Sequence, residues 1–134
     1  MTGALVDTSV WIEFLGGAEA PEADLLREMI RDDEPIFITP VILQELLMGT
    51  SADDQFKALQ ETLLAFSILT YPHVAAAVGA AELYRSARNK GVTVRKSVDC
   101  LIAWYAIEAR VPVLHRDRDF DLLARVSGLS VVSI

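Results

Sequence analysis

Apolar and polar positions along the chain alternate in short blocks that read as strands and helices in turn. Ala4-Leu5-Val6 is a brief apolar run that ends at Asp7-Thr8-Ser9, a helix N-cap signal. Val10 to Leu15 then reads as a short helix, broken by Gly16-Gly17. Pro21 opens a helix to about Arg31, with Leu25, Leu26, Met29 and Ile30 as its apolar stripe. Ile36-Phe37-Ile38 is a β-type run. Thr39-Pro40 pairs an N-cap with a proline at the first helical position, and that helix runs to Gly49. Asp53 or Asp54 caps a further helix to about Phe66. Pro72 opens a long one to about Lys90, ended by Gly91, and Ser97 caps another through about Ala109. Val113-Leu114-His115 is another buried strand, Asp119 to Val126 a short helix, and Leu129 to Ser133 a final strand.

Short apolar strands separated by helices describe an α/β fold with a mainly parallel sheet. In such sheets ligands gather beyond the carboxyl ends of the strands. Asp7 and Asp117 both stand just after a strand, which is the first functional hint.

The 134 residues fit one domain, 1–134, with no repeat or linker. Hydrophobic residues make up 52% and charged residues 23%, enough apolar material for a core and too much for global disorder. No apolar run reaches the ~20 residues of a membrane span. The start, MTGALVDTSVW, lacks the basic and small-residue features of a secretion signal. The lone Cys100 has no internal disulfide partner and cannot alone make a zinc site. A cytoplasmic setting is the expectation.

Net charge is -7, which on its face argues against a nucleic-acid partner. The charges are uneven, however. Eight acids fall between Glu13 and Glu34, whereas Glu82 and Asp99 enclose five bases (Arg85, Arg88, Lys90, Arg95, Lys96) and no acid. A solvated helix face accounts for either cluster taken alone.

Four acids stand out. Asp7 can cap a helix, but Thr8 and Ser9 can do the same, so a cap alone does not require it. Glu45 has Val41, Ile42, Met48 and Gly49 as its helical neighbours, with Leu43, Leu46 and Leu47 around it. That helix is apolar nearly all round and is expected to be buried, where a carboxylate must be paired, protonated or bound to metal. Asp99 lies in the first turn of its helix, a position acids favour anyway, yet it faces Ile102 and Ala103. In His115-Arg116-Asp117-Arg118-Asp119-Phe120-Asp121, one aspartate caps the next helix. Asp117 is the better ligand candidate there, Asp119 can cap or ligate, and Asp121 is expected on a solvated face.

Converging carboxylates repel: at about 4 Å each like pair costs ~4 kcal/mol at an effective dielectric near 20. Protons or a cation must neutralise such a cluster. Oxygen-only ligands suit Mg2+ or Mn2+ better than zinc. Such ions activate water and stabilise the leaving oxygen in phosphodiester cleavage. No Walker loop, GxGxxG or Ser-His-Asp set competes. His73 reads as a helix-start residue, and His115 lies at a strand end without a catalytic assignment.

At these residues the chain resembles a known family. The segments Leu5–Ile12, Pro40–Gly49, Asp99–Ala103 and His115–Phe120 are similar to the four acidic motifs of PIN domains, in order and spacing most like the VapC toxins of bacterial type II toxin–antitoxin pairs. The resemblance spans essentially the whole chain and implies a three-layer α/β/α domain. It implies that Asp7, Glu45, Asp99 and Asp117 are the metal-binding and catalytic acids, with Asp119 sharing or taking the last place. Thr8 or Ser9 would support the site by hydrogen bonding. The activity implied is Mg2+- or Mn2+-dependent cleavage of RNA, often structured RNA such as tRNA. Implied partners are a VapB-type antitoxin whose tail covers the groove, and a second copy in a homodimer. His115 departs from the family, which often has Thr or Ser there. Arg95 and Lys96, just ahead of Asp99, are then candidates to hold RNA phosphates.

Two other classes compete. An acid-pocket phosphatase would use Asp7 as nucleophile, but needs a second Asp two residues on, where Ser9 stands. A non-catalytic copy of the fold would be expected to have lost acids, and all four positions are filled.

Overall fold

The computed structural model describes residues 3–134. The strands are β1 (Ala4–Val6), β2 (Ile36–Ile38), β3 (Ser67–Ile68) and β4 (Val113–Leu114). The helices are α1 (Thr8–Leu15), α2 (Pro21–Arg31), α3 (Pro40–Met48), α4 (Asp53–Leu64), α5 (His73–Asn89), α6 (Ser97–Ala109) and α7 (Arg118–Val126). The four strands form one parallel sheet in the order β3-β2-β1-β4. Helices α1 to α4 pack on one another, α6 and α7 each pack on α5, and α6 also meets α7. With the sheet between helical layers, the architecture is the expected three-layer α/β/α.

The strands are only two or three residues long, and burial explains why β1, β2 and β4 are apolar throughout. Every residue of β1 is buried, as are both residues of β4. Ala4, Leu5, Val6, Val113 and Leu114 are completely shielded and join Trp11, Leu26, Met29, Ile38, Ile42, Phe120 and Leu123 in one core. A strand covered on both faces has no polar side to alternate with. Gly3 leads into β1 at φ +120, and a Cβ there would come within 2.5 Å of the Pro35 carbonyl oxygen. Only glycine permits β1 to enter the sheet this close to β2.

Chain order positions the site. From β1 the chain steps outward to β2 and then β3. It returns through α5 and α6 to β4, on the opposite side of β1. The connections therefore diverge between β1 and β4, and a crevice opens there beyond the strand ends. Asp7 N donates to Leu114 O at 2.9 Å, which fixes the end of β1 against the end of β4.

Several boundaries differ from expectation. β3, Ser67–Ile68, lies beyond the expected elements: it is two residues long, opens on an exposed polar Ser67 and follows closely after α4. The strand expected over Leu129–Ser133 is reduced to one parallel bridge, Val113 to Val131, with Val113 N donating to Ser130 O and Val132 N to Val113 O. A five-residue strand cannot pair along its whole length with a β4 only two residues long. Asp7 itself caps α1, its side chain accepting from Ser9 N. Lys96, not Ser97, holds the N-cap position of α6, and Ala52, not Asp53 or Asp54, that of α4.

Candidate metal centre

The acids reach the crevice from three places: the end of β1, the start of α6 and the start of α7. Asp7 leaves β1 and turns into α1, with its Oδ2 accepting from Ser9 N (3.1 Å) and Ser9 Oγ (2.7 Å). Ser9 Oγ in turn accepts from the backbone N of Arg116 at 3.0 Å. One hydroxyl thus ties the Asp7 carboxylate to the loop after β4. Asp117 ends that loop and caps α7, Oδ1 accepting from Asp119 N at 3.0 Å. Asp119 sits in the first turn of α7 and Asp99 in the first turn of α6.

Asp99, Asp117 and Asp119 converge, each offering a carboxylate oxygen within 4.8 Å of the others. Asp99 and Asp119 are each only 2% exposed, and Asp7 5%. Burial pushes the Asp99 carboxyl up to about 7; Lys96 opposes this, while the charges of Asp7, Asp117 and Asp119 reinforce it. Asp7 is therefore close enough to act on Asp99 electrostatically. Burial would raise Asp117 too, but the Asp119 backbone amide and the Lys96 side chain hold it below the usual carboxylate range. Arg95 and Lys96 lie directly on the cluster, pairing with Asp117 and Asp119. Burial also drives the neighbouring Cys100 thiol up to about 11, so it is no nucleophile at neutral pH.

Glu45 corrects the reading of its helix. Helix α3 buries only Ile42 and Leu46, while Gln44, Glu45 and Met48 are exposed. The helix packs on α1 and α4 and leaves its remaining face to solvent, so an apolar sequence does not make it an interior helix. Glu45 is a wet carboxylate whose Oε1 accepts from Thr8 Oγ1 at 2.8 Å. It is tied to the residue after Asp7, and stands outside the tight group of three.

Three neighbours carry more of the geometry than their residue types suggested. His115 Nδ1 accepts from Asp117 N at 3.0 Å, and its Nε2 lies 3.1 Å from Asp121 Oδ1. Asp121 is exposed as expected, yet it orients the ring that orients Asp117. Arg116 bridges Glu13 on α1 (2.8 Å) and Glu22 on α2 (3.1 Å). The acidic first quarter thus holds the loop of Asp117 in place. The dense His-Arg-Asp run was the available signal for all three.

A PIN-domain family model matches residues 4–126. The chain belongs to the PIN-domain family. Ribonuclease VapC11 of Mycobacterium tuberculosis is 33% identical to this PIN domain over 130 residues, 96% of this chain and 97% of the relative. Ribonuclease VapC32 of the same species is 37% identical over 81 residues, 60% of this chain and 61% of the relative. Among solved structures, VapBC-5 from Mycobacterium tuberculosis superposes with a TM-score of 0.68, 24% identity and full coverage of both chains. VapBC-1 from nontypeable Haemophilus influenzae gives 0.72 at 14% identity, covering 98% of this chain and 97% of that one. At such identities these structures support the PIN fold itself.

The donor set of this PIN domain fits a hard divalent cation. All the converging atoms are carboxylate oxygens. Asp99 Oδ2 is fully buried and has no hydrogen-bond partner. A buried, unpaired carboxylate oxygen is costly unless it is protonated or meets a cation. Oxygen-only coordination is the preference of Mg2+ and Mn2+.

Proposed function

We propose that this PIN domain, residues 1–134 as one unit, is a metal-dependent endoribonuclease and the toxin of a toxin–antitoxin pair. One observation carries the chemistry: the unpartnered Asp99 Oδ2, buried among the carboxylates where the sheet diverges. The 33% identity to a VapC ribonuclease across nearly the full chain supports RNA as the substrate class. Solved neighbours are toxin–antitoxin complexes, which supports a VapB-type antitoxin as partner. A homodimer, structured RNA such as tRNA, and a cytoplasmic location belong to the same reading. No helix among the described residues is long and apolar enough to cross a membrane.

Asp99, Asp117 and Asp119 would hold Mg2+ or Mn2+, with Asp7 adding charge beside them and Glu45 at the outer edge. When bound, the ion supplies an activated water and stabilises the leaving oxygen of the phosphodiester. Ser9 keeps the Asp7 carboxylate aimed by donating two hydrogen bonds to Oδ2. Thr8 aims Glu45 in the same manner. Arg95 and Lys96 lie at the rim, where an RNA phosphate would approach, and neutralise its charge. Ser9 also occupies the position where a phosphatase would need its general acid, and it serves there as a donor to Asp7.

The test is cleavage of total cellular RNA with added Mg2+ or Mn2+, with the cut ends sequenced. Wild type should cut, and both Asp7→Asn and excess EDTA should abolish cutting. Retained cleavage in either condition overturns the reading. Arg95→Ala with Lys96→Ala should weaken RNA binding and flatten its salt dependence.

A further inference from the structure

Arg95 and Lys96 do not merely flank the carboxylates; they pair with Asp117 and Asp119. Lys96 Nζ lies 3.1 Å from Asp117 Oδ2. Arg95 reaches Asp117 Oδ1 with Nη2 at 3.5 Å and Asp119 Oδ2 with Nε at 3.4 Å. The backbone N of Arg95 also donates to Asp119 Oδ2, at 3.2 Å. Only Asp99 is left without such a contact, its Oδ2 unpartnered.

The two cations are held loosely. Their side chains are 63% and 61% exposed, so both can swing outward without disturbing the core. The carboxylates cannot follow them. Asp117 is pinned as the cap of α7, and Asp119 and Asp99 are buried in the first turns of their helices. A buried or half-buried set of anions thus faces an exposed pair of monovalent cations. An ammonium and a divalent ion compete for the same carboxylate of Asp117. The divalent ion gains from several oxygens at once, while the lysine loses a single contact and its exposed ammonium returns to water.

We propose that Lys96 and Arg95 are built-in counter-ions of the metal-free cluster, and that an arriving divalent cation displaces them from Asp117 and Asp119. This rests on the metal-dependent reading above and adds a regulation to it: the side chains offered to RNA phosphate are freed only once the metal is in place. In the metal-free protein Asp117 and Asp119 and the two phosphate-binding cations satisfy one another.

Two measurements test this without any readout of cleavage. The first is calorimetric titration of Mn2+ into wild type, Lys96→Met and Lys57→Met. Lys57 is an exposed residue of α4, so its substitution makes the same change in net charge as the one at Lys96. Lys96→Met should tighten Mn2+ binding about three-fold or more, and Lys57→Met should leave it unchanged. Unchanged or weaker binding in Lys96→Met, or equal tightening in both, overturns the assignment. The second uses reductive methylation with 13C, which keeps lysine charged. The chain has three lysines, Lys57, Lys90 and Lys96. Saturating Mg2+ should move the Lys96 methyl resonance and leave that of Lys57 in place; an unmoved Lys96 signal overturns the displacement. If wild type binds no Mn2+ at millimolar concentration, the metal-dependent reading falls and takes this inference with it. If it binds while Lys96→Met shows no tightening, only the counter-ion assignment falls.

Discussion

Thr8 Oγ1 donates to Glu45 Oε1 at 2.8 Å, joining the first turn of α1 to the middle of α3 across 37 positions of sequence. Thr8 directly follows Asp7, the cap of α1. The contact therefore relates an exposed carboxylate on one helix to a buried carboxylate on another. Nothing else bonded to the Glu45 side chain fixes its direction among the described residues, so the threonine hydroxyl decides where that charge points.

Glu45→Gln should keep the fold and lose function. An amide oxygen can still accept from Thr8, and the position is exposed, so stability should shift by no more than about 0.5 kcal/mol. Cleavage should fall about 10- to 100-fold, as for groups that orient a metal site from its edge. Thr8→Val should leave the carboxylate charge but free its rotamers, giving a smaller loss. Comparing melting temperature with initial cleavage rate for both variants checks the pair. Thr8→Val losing more activity than Glu45→Gln would show the hydroxyl has another task.

Asp7 has two duties that substitutions can separate. It caps α1 through Ser9 N and it contributes charge beside Asp99. Asparagine caps a helix about as well as aspartate, whereas alanine costs ~1 kcal/mol. Asp7→Asn should therefore retain wild-type stability, or gain some in EDTA where a repelling charge is gone, while cleavage and Mn2+ affinity collapse. Asp7→Ala should show the same functional loss and a lower melting temperature. Parallel thermal denaturation and calorimetry separate the two.

Asp117 and Asp119 should both prove necessary for metal, with different structural costs. Removing the Asp117 side chain takes away the α7 cap, at ~1 kcal/mol. Removing that of Asp119 orphans the backbone N of Arg95 at a part-buried site, at ~1–3 kcal/mol. Asp119→Ala should thus be the less stable protein, and each variant should bind Mn2+ at least about 10-fold more weakly. Denaturant midpoints with Mn2+ titrations check both halves. Unchanged Mn2+ affinity in Asp119→Ala would remove that residue from the donor set.

Much of this was legible in the residues, for identifiable reasons. Helices with sharp chemical ends were readable: Pro21 opens α2, Thr39-Pro40 opens α3, and both begin where expected. Strands buried on both faces announced themselves as apolar runs at Ala4–Val6 and Ile36–Ile38. What stayed hidden depends on packing partners rather than on local pattern. Two-residue β3 has no period to detect. The exposure of Glu45 follows from which helices α3 touches, which its own apolar sequence does not encode. The pairing of Arg95 and Lys96 with Asp117 and Asp119 joins segments more than 20 positions apart. A count of charges showed the basic segment and could not show that it lies on the acids.

Asp99 gives the metal-free protein a pH dependence of defined sign. Its carboxyl is raised from the ordinary 3.8 to about 7 by burial and by neighbouring acids. Between those two values the folded chain holds a proton that the unfolded chain has released, so folding is favoured at low pH in this window. Stability from this group is full below the unfolded value and is lost as pH rises through about 7. In EDTA the melting temperature of wild type should therefore fall between pH 5 and 8, by an amount on the order of a few kcal/mol in stability. Asp117, held below the usual range, contributes the opposite sign at lower pH: its stabilisation is present above the unfolded value and lost only on acidification. It does not mask the trend in the neutral window. Asp99→Asn should flatten the profile and make the metal-free protein more stable at pH 8. Metal must expel the same proton, so Mn2+ binding at pH 6.5 should release about one proton in wild type and fewer in Asp99→Asn. Calorimetry in two buffers of different ionisation enthalpy reads that number directly. A wild-type melting temperature independent of pH, together with no proton release, would place Asp99 as an ordinary ionised carboxylate and remove its buried oxygen as the anchor of the metal site.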